Sequence, residues 1–162
     1  MKVAIVMGSD SDWPILKPAA ELLKQFGIGC EVVVASAHRT PGKVRDIVTS
    51  ADERGIGAFI SAAGAAAHLG GVIASYTTLP VIGVPINATP LNGMDALLST
   101  VQMPSGIPVA TMAINGAKNA AIFAAQIFAV SDPAVKQKLM DYRAKMVEEV
   151  EEKAARVQEQ LA

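Results

Sequence analysis

Five short apolar runs, VAIVM (3–7), CEVVV (30–34), AFIS (58–61), VIGV (81–84) and VATM (109–112), recur at intervals of roughly 25 residues, and none alternates apolar with polar positions. A strand with one face in water alternates; a continuous apolar run is buried on both faces, which is what a parallel sheet covered by helices demands. The spacing leaves room for a right-handed crossover helix between successive strands. The pattern therefore predicts an α/β fold: a three-layer, doubly wound, parallel five-stranded sheet, flavodoxin-like with strand order 2-1-3-4-5.

Helix signals fall between the runs. Pro14 is expected to open the first helix and Gly27 to end it, while Pro41 after Thr40 opens the second and Gly55 closes it. Pro18 lies a turn inside the first helix, where a proline removes a backbone donor, so an irregular start or a kink is expected there. From Asp132 onward the pattern changes: Val135, Leu139, Tyr142, Met146, Val150, Val157 and Leu161 form one stripe among charged residues. Residues 132–162 read as a long amphipathic helix, packed on its own domain or docked on a neighbouring subunit, within a single α/β domain spanning 1–162.

Composition narrows the function classes. Apolar residues make up 51% of the chain and charged residues 18%, which excludes disorder, yet there are only four Phe, two Tyr and one Trp. Much of the apolar content is thus alanine and aliphatic, more than a small monomer hides, so burial between subunits is expected. Fourteen basic against fifteen acidic residues leave a net charge of -1 and no basic tract interleaved with aromatics, arguing against a nucleic-acid partner. Cys30, the one cysteine, reads as a small buried strand residue and leaves neither a disulfide framework nor a soft-ligand metal site. The apolar run at Val3–Met7 is too short for a signal peptide, and AFISAAGAAAHLGGVIASY and NAAIFAAQIFAV are interrupted. A cytoplasmic location without membrane contact is expected.

In an open parallel sheet, ligands bind beyond the carboxyl ends of the strands where strand order reverses. That rule selects three loops: GSDSDW (8–13), ASAHRT (35–40) and SAAGAAAH (61–68). In the first, the Gly8 backbone and the Ser9 and Ser11 hydroxyls suit phosphate, and the Asp10 and Asp12 carboxylates suit ribose hydroxyls; Ser11 or Asp12 read singly is also an ordinary helix cap. The loop lacks a G-x-G-x-x-G fingerprint, and no G-x-x-x-x-G-K-[ST] loop occurs in the chain. In the second, His38 can exchange a proton near neutral pH, Arg39 can grip a phosphate in a two-pronged hydrogen bond, and Ser36 flanks them. In the third, glycine and alanine at Gly64, Ala65 and Ala66 let a flat ligand approach the backbone. His68, placed inside a helix by this reading, is assigned to packing or an interface.

Taken in order, GSDSDW, SAHRTP, AAGAAAHLGG, LPVIGVP and VQMPSGIPVAT make the chain resemble the class I N5-carboxyaminoimidazole ribonucleotide mutases of bacterial purine biosynthesis over nearly its whole length. The resemblance implies conversion of N5-carboxyaminoimidazole ribonucleotide to 4-carboxyaminoimidazole ribonucleotide, with no metal or organic cofactor. It implies that His38 is the catalytic acid and base, that Ser9 and Asp12 bind substrate, and that Arg39 contacts the phosphate. It further implies that Ser36 and the Gly64–Ala66 backbone line the pocket, with Gly8 and Ser11 expected beside them, and that a homo-octamer shares its sites between subunits. Two positions depart from the usual AGGAAHLPG: Ala65 replaces a glycine, which brings the expectation of a narrowed approach or a forbidden positive φ, and Gly70 replaces a proline. Two rivals remain. One is the related carboxylase that adds CO2 directly to aminoimidazole ribonucleotide. The other is a flavodoxin-like binding or receiver module, disfavoured because the third strand ends at Ser61 and not at an aspartate.

Overall fold

The computed structural model describes residues 1–161. Five parallel strands, β1 (Lys2–Met7), β2 (Gly29–Val34), β3 (Ile56–Gly64), β4 (Val81–Ile86) and β5 (Ala110–Thr111), form one sheet in the order 2-1-3-4-5. The expected architecture is therefore present. Six α-helices accompany it: α1 (Trp13–Gln25), α2 (Pro41–Thr49), α3 (Leu69–Tyr76), α4 (Met94–Val101), α5 (Ala117–Ala129) and α6 (Pro133–Glu159).

Burial explains the uninterrupted apolar runs of β1, β3 and β4, whereas the edge strands β2 and β5 are only partly covered. On one face of the sheet Val3, Ile5 and Met7 pack with Leu16 and Leu23 of α1 and with the alanines of α5. On the other, Ala4 and Val6 pack with Val44 and Val48 of α2 and Ile73 of α3. Successive residues of a strand point to opposite faces, so a strand covered on both sides has no position left for a polar residue. β5 is the exception, shorter than the expected 109–112. It is an edge strand entered from Pro108, which has no N–H for the ladder, although the Met112 amide still donates to the Gly83 carbonyl at 2.8 Å.

Two helix boundaries differ from expectation. A 3-10 turn over Asp10–Asp12 precedes α1, and the helix then runs through Pro18 and ends before Gly27, whose φ of 78° is the left-handed value that glycine accepts without strain. The Pro18 nitrogen falls opposite the Pro14 carbonyl near the helix start, so only one hydrogen bond is forgone. Gly55 closes not α2 but a separate 3-10 turn, Asp52–Arg54; α2 itself ends where Thr49 and Ser50 turn their hydroxyls back on the Arg45 and Asp46 carbonyls.

The tail helix begins where expected. The Asp132 carboxylate accepts from the Ala134 and Val135 amides at 2.9 and 3.2 Å, and Pro133 occupies the first helical position. Val135 and Leu139 are buried, and the Tyr142 ring meets the edge of Phe26 at 5.6 Å. Met146, Val150, Val157 and Leu161 are exposed, so the first turns dock on the chain's own α5 and the rest of the stripe is uncovered. Residue 162 of the expected tail lies outside the described residues. Among those described, no helix is long and apolar enough to cross a membrane.

Candidate active site

The ends of β1, β2 and β3 open into a cavity of about 380 Å³. The first loop contributes Gly8, Ser9, Ser11 and Asp12; the second contributes Ser36, His38 and Arg39; the third contributes Gly64, Ala65 and Ala66. All ten candidate positions thus face one space. Six further residues line it, among them His68, which the sequence reading assigns to packing or an interface, and Ala88, which it leaves unassigned.

The first loop is organised by Ser9. Its Oγ accepts from the Ser11 amide at 3.3 Å and from the Ser11 hydroxyl at 2.9 Å, and so it is Ser9 that caps the 3-10 turn. Asp12 makes no side-chain cap to α1 and is only 6% exposed. Burial pushes its carboxyl above the ordinary carboxylate range, partly opposed by hydrogen bonds from the Ser9 backbone and the Ser11 side chain. Cys30, by contrast, is half-buried rather than buried; desolvation, with a smaller push from Glu31, takes its thiol up to about 11, which makes it inert at neutral pH.

The second loop folds on itself. The Ser36 amide donates to Thr40 Oγ1 at 2.9 Å, and Ser36 Oγ accepts from the Arg39 amide at 3.2 Å. Arg39 reaches across to the first loop, where its Nη2 donates to the Gly8 carbonyl at 2.9 Å. Among the described residues no carboxylate stands within ion-pairing distance of Arg39, whereas Arg54 is paired with Glu31 at 3.0 Å. The Arg39 guanidinium is held in place by neutral oxygens, those of Ser36 and Gly8.

The third loop corrects the reading of two residues. Ala65 adopts φ 53°, so the alanine takes up the left-handed conformation that it was expected to forbid. That turn delays the helix, and α3 starts only at Leu69, with His68 at its N-cap instead of inside it. His68 is therefore no packing residue: its Nδ1 lies 2.8 Å from His38 Nε2, the rings meeting edge to face with centroids 5.0 Å apart. A bond between two ring nitrogens needs one proton on the shared line, so the pair cannot be doubly protonated there, and His38 keeps Nδ1 free.

Close packing fixes the walls. A Cβ on Gly64 would stand 2.6 Å from the Ala88 Cβ, so only glycine lets the loop after β4 close against β3. A Cβ on Gly70 would stand 2.8 Å from Ser61 Oγ, so glycine lets α3 lie close against β3 at this point.

Residues 2–149 match the family described as AIR carboxylase. Over 157 residues the chain is 55% identical to the N5-carboxyaminoimidazole ribonucleotide mutase of Pyrococcus horikoshii, covering 97% of this chain and 89% of that protein. It is 51% identical over 152 residues to the enzyme of that name from Vibrio cholerae, covering 93% and 94%. The crystal structure of Treponema denticola PurE superposes with a TM-score of 0.84 at 29% identity, covering 95% of this chain and 96% of that one.

Two outcomes test this geometry without substrate. A left-handed residue with a Cβ costs about 1–2 kcal/mol, of which glycine's extra unfolded-state entropy offsets roughly half, so Ala65→Gly should raise stability by up to about 1 kcal/mol in urea unfolding. A loss of stability would mean that the turn is unstrained. Asp12 has its folded-state pKa above the unfolded value, so its contribution is fully favourable below the unfolded pKa and is lost as pH rises through the folded one. Asp12→Asn should therefore melt above the parent at pH 7, with the difference closing in acid; equal melting at both would remove the burial argument.

Proposed function

The chain belongs to the AIR carboxylase family, and we propose that it is a mutase converting N5-carboxyaminoimidazole ribonucleotide to 4-carboxyaminoimidazole ribonucleotide, with His38 as the acid and base. The observation that carries this reading is the placement of a histidine pair and a glycine–alanine loop in one cavity with Arg39 and Asp12. The identity to enzymes of that name supports it.

Binding and chemistry divide between the loops. Arg39, with Ser9 and Ser11 beside it, takes the phosphate; Asp12 accepts from ribose hydroxyls; Ser36 and Gly8 frame the nucleotide between them. The flat imidazole lies against Gly64–Ala66, where no side chain beyond a methyl intervenes. The N–C bond to the carboxylate breaks, releasing CO2 into the cavity, and the departing nitrogen takes a proton from His38. CO2 then adds at the ring carbon, and His38 removes the proton from that carbon. One proton leaves and one returns, so the cycle closes with neither metal nor organic cofactor.

His68 acts through His38. When His38 is the acid, its Nε2–H donates to His68 Nδ1, which stabilises the imidazolium; Nδ1 of His38 is then the nitrogen that serves the substrate. His68 is a positioning residue in this account.

A direct carboxylase is the second reading, favoured by the description of the matched family. Conversion of the 4-carboxy isomer to the N5-carboxy isomer in metal-free buffer, with and without bicarbonate, separates the two. The mutase should work without bicarbonate; CO2-dependent carboxylation of aminoimidazole ribonucleotide with no isomerisation would establish the carboxylase. His38→Asn should lower turnover by about 10²–10⁴ with substrate binding retained. His68→Ala should lower kcat roughly tenfold to a hundredfold at unchanged KM, and His68→Gln, which keeps an acceptor, should recover part of it. Near-normal turnover in either loss variant would remove that residue's role.

The substrate is a small ribonucleotide, with neither nucleic acid nor membrane as partner, and the working form is a homo-octamer with shared sites in the cytoplasm. Val32 and Val34 at 41% and 43% exposure and the uncovered stripe of α6 support the assembly, since such surface is costly in water. Light scattering at micromolar concentration should give a mass near eight chains; a monomeric mass would overturn it.

A further inference from the structure

We propose that Ser99 is a positioning residue for the carboxylate, acting through the peptide between Ala65 and Ala66; this rests on the mutase reading of the cavity. Ser99 lies on α4, in a depression behind His68 that is separate from the substrate cavity and is bordered by Ser75 and Gln102. Its Oγ is 3.3 Å from the Ala65 carbonyl, 2.7 Å from its own helix's Asp95 carbonyl and 3.3 Å from that of Ala96. A hydroxyl has one proton, and at rest the nearest acceptor, Asp95, takes most of it.

The Ala65 carbonyl and the Ala66 N–H belong to one planar trans peptide and so point in opposite directions. With the carbonyl turned towards α4, the N–H is turned the other way, and Ala66 is an exposed residue of the cavity wall. Among the described residues the Ala66 amide has no acceptor, while the Ala67 amide folds back on the Ala65 carbonyl at 2.9 Å. An unpaired amide in a left-handed turn is a natural donor to an anion. When a carboxylate draws on the Ala66 N–H, the peptide polarises and its carbonyl becomes the stronger acceptor. The Ser99 hydroxyl then turns its hydrogen bond from the Asp95 carbonyl to the Ala65 carbonyl, tightening the strained turn only while the carboxylate is present.

The test is calorimetric titration with two nucleotides that differ in the carboxylate alone, 4-carboxyaminoimidazole ribonucleotide and aminoimidazole ribonucleotide. Ser99→Ala should weaken the first by roughly threefold to tenfold and leave the second unchanged, and Ser99→Thr, which keeps the hydroxyl, should bind both as the parent does. Thermal melts of the variants verify that they are folded. Equal weakening of both nucleotides, or of neither, would overturn the proposal by reducing Ser99 to a helix residue. If the parent binds neither nucleotide, the functional reading falls, and this inference with it.

Discussion

The register of β1 between its two neighbours is the constraint on which the rest depends. Met7 stands opposite Val34 on one side and Ala62 on the other, so the chain leaves all three strands at nearly one level. The Ala35 amide donates to Met7 and the Gly8 amide to Ala62, at 2.9 and 3.0 Å, which carries the pairing one step past the strand ends. A slip of one residue would turn Val3, Ile5 and Met7 from one core to the other and leave both mispacked. Because the slip is excluded, the Gly8 carbonyl lies where Arg39 reaches it, and the first two loops form one wall.

What could be read from the residues follows from the same physics. Strands buried on both faces announce themselves, and once their ends are known the first two loops, with Ser9, Asp12, Ser36, His38 and Arg39, are adjacent by topology. β5 was overdrawn because an edge strand's length is set by one partner and by the proline before it. His68 was misread for a specific reason: AAAHLGG looks like helix from its first alanine, and nothing in an alanine signals a left-handed turn. With φ 53° at Ala65 the helix starts at Leu69, and the histidine swings into the cavity. Ala88 was invisible because its approach depends on the missing Cβ of Gly64, a packing fact between distant segments.

The cavity gathers features that the scaffold would be more stable without. Asp12 is buried where its charge is disfavoured, Ala65 holds a conformation suited to glycine, and Arg39 has no carboxylate partner among the described residues. Asp12 and Ala65 are tolerable because they follow β1 and β3, strands whose residues are mostly buried, so the backbone beneath them has little freedom to relax. The histidine pair lies among them: each imidazole fixes the orientation of the other, with the ring nitrogens 2.8 Å apart.

The surface away from the cavity carries a different unresolved demand. Cys30, Val32 and Val34 share one face of β2, the face on which α1 lies, yet the two valines stay exposed at the sheet's edge. α6, 27 residues long and so about 40 Å from end to end, has support from α5 only at its start. Its later apolar residues have no cover among the described residues. Cover from outside leaves the strand ends undisturbed. The proposed assembly and the proposed chemistry are therefore compatible in one small fold: cover over the edge and the tail leaves the strand ends in register, and a neighbouring subunit can still complete the cavity that opens there.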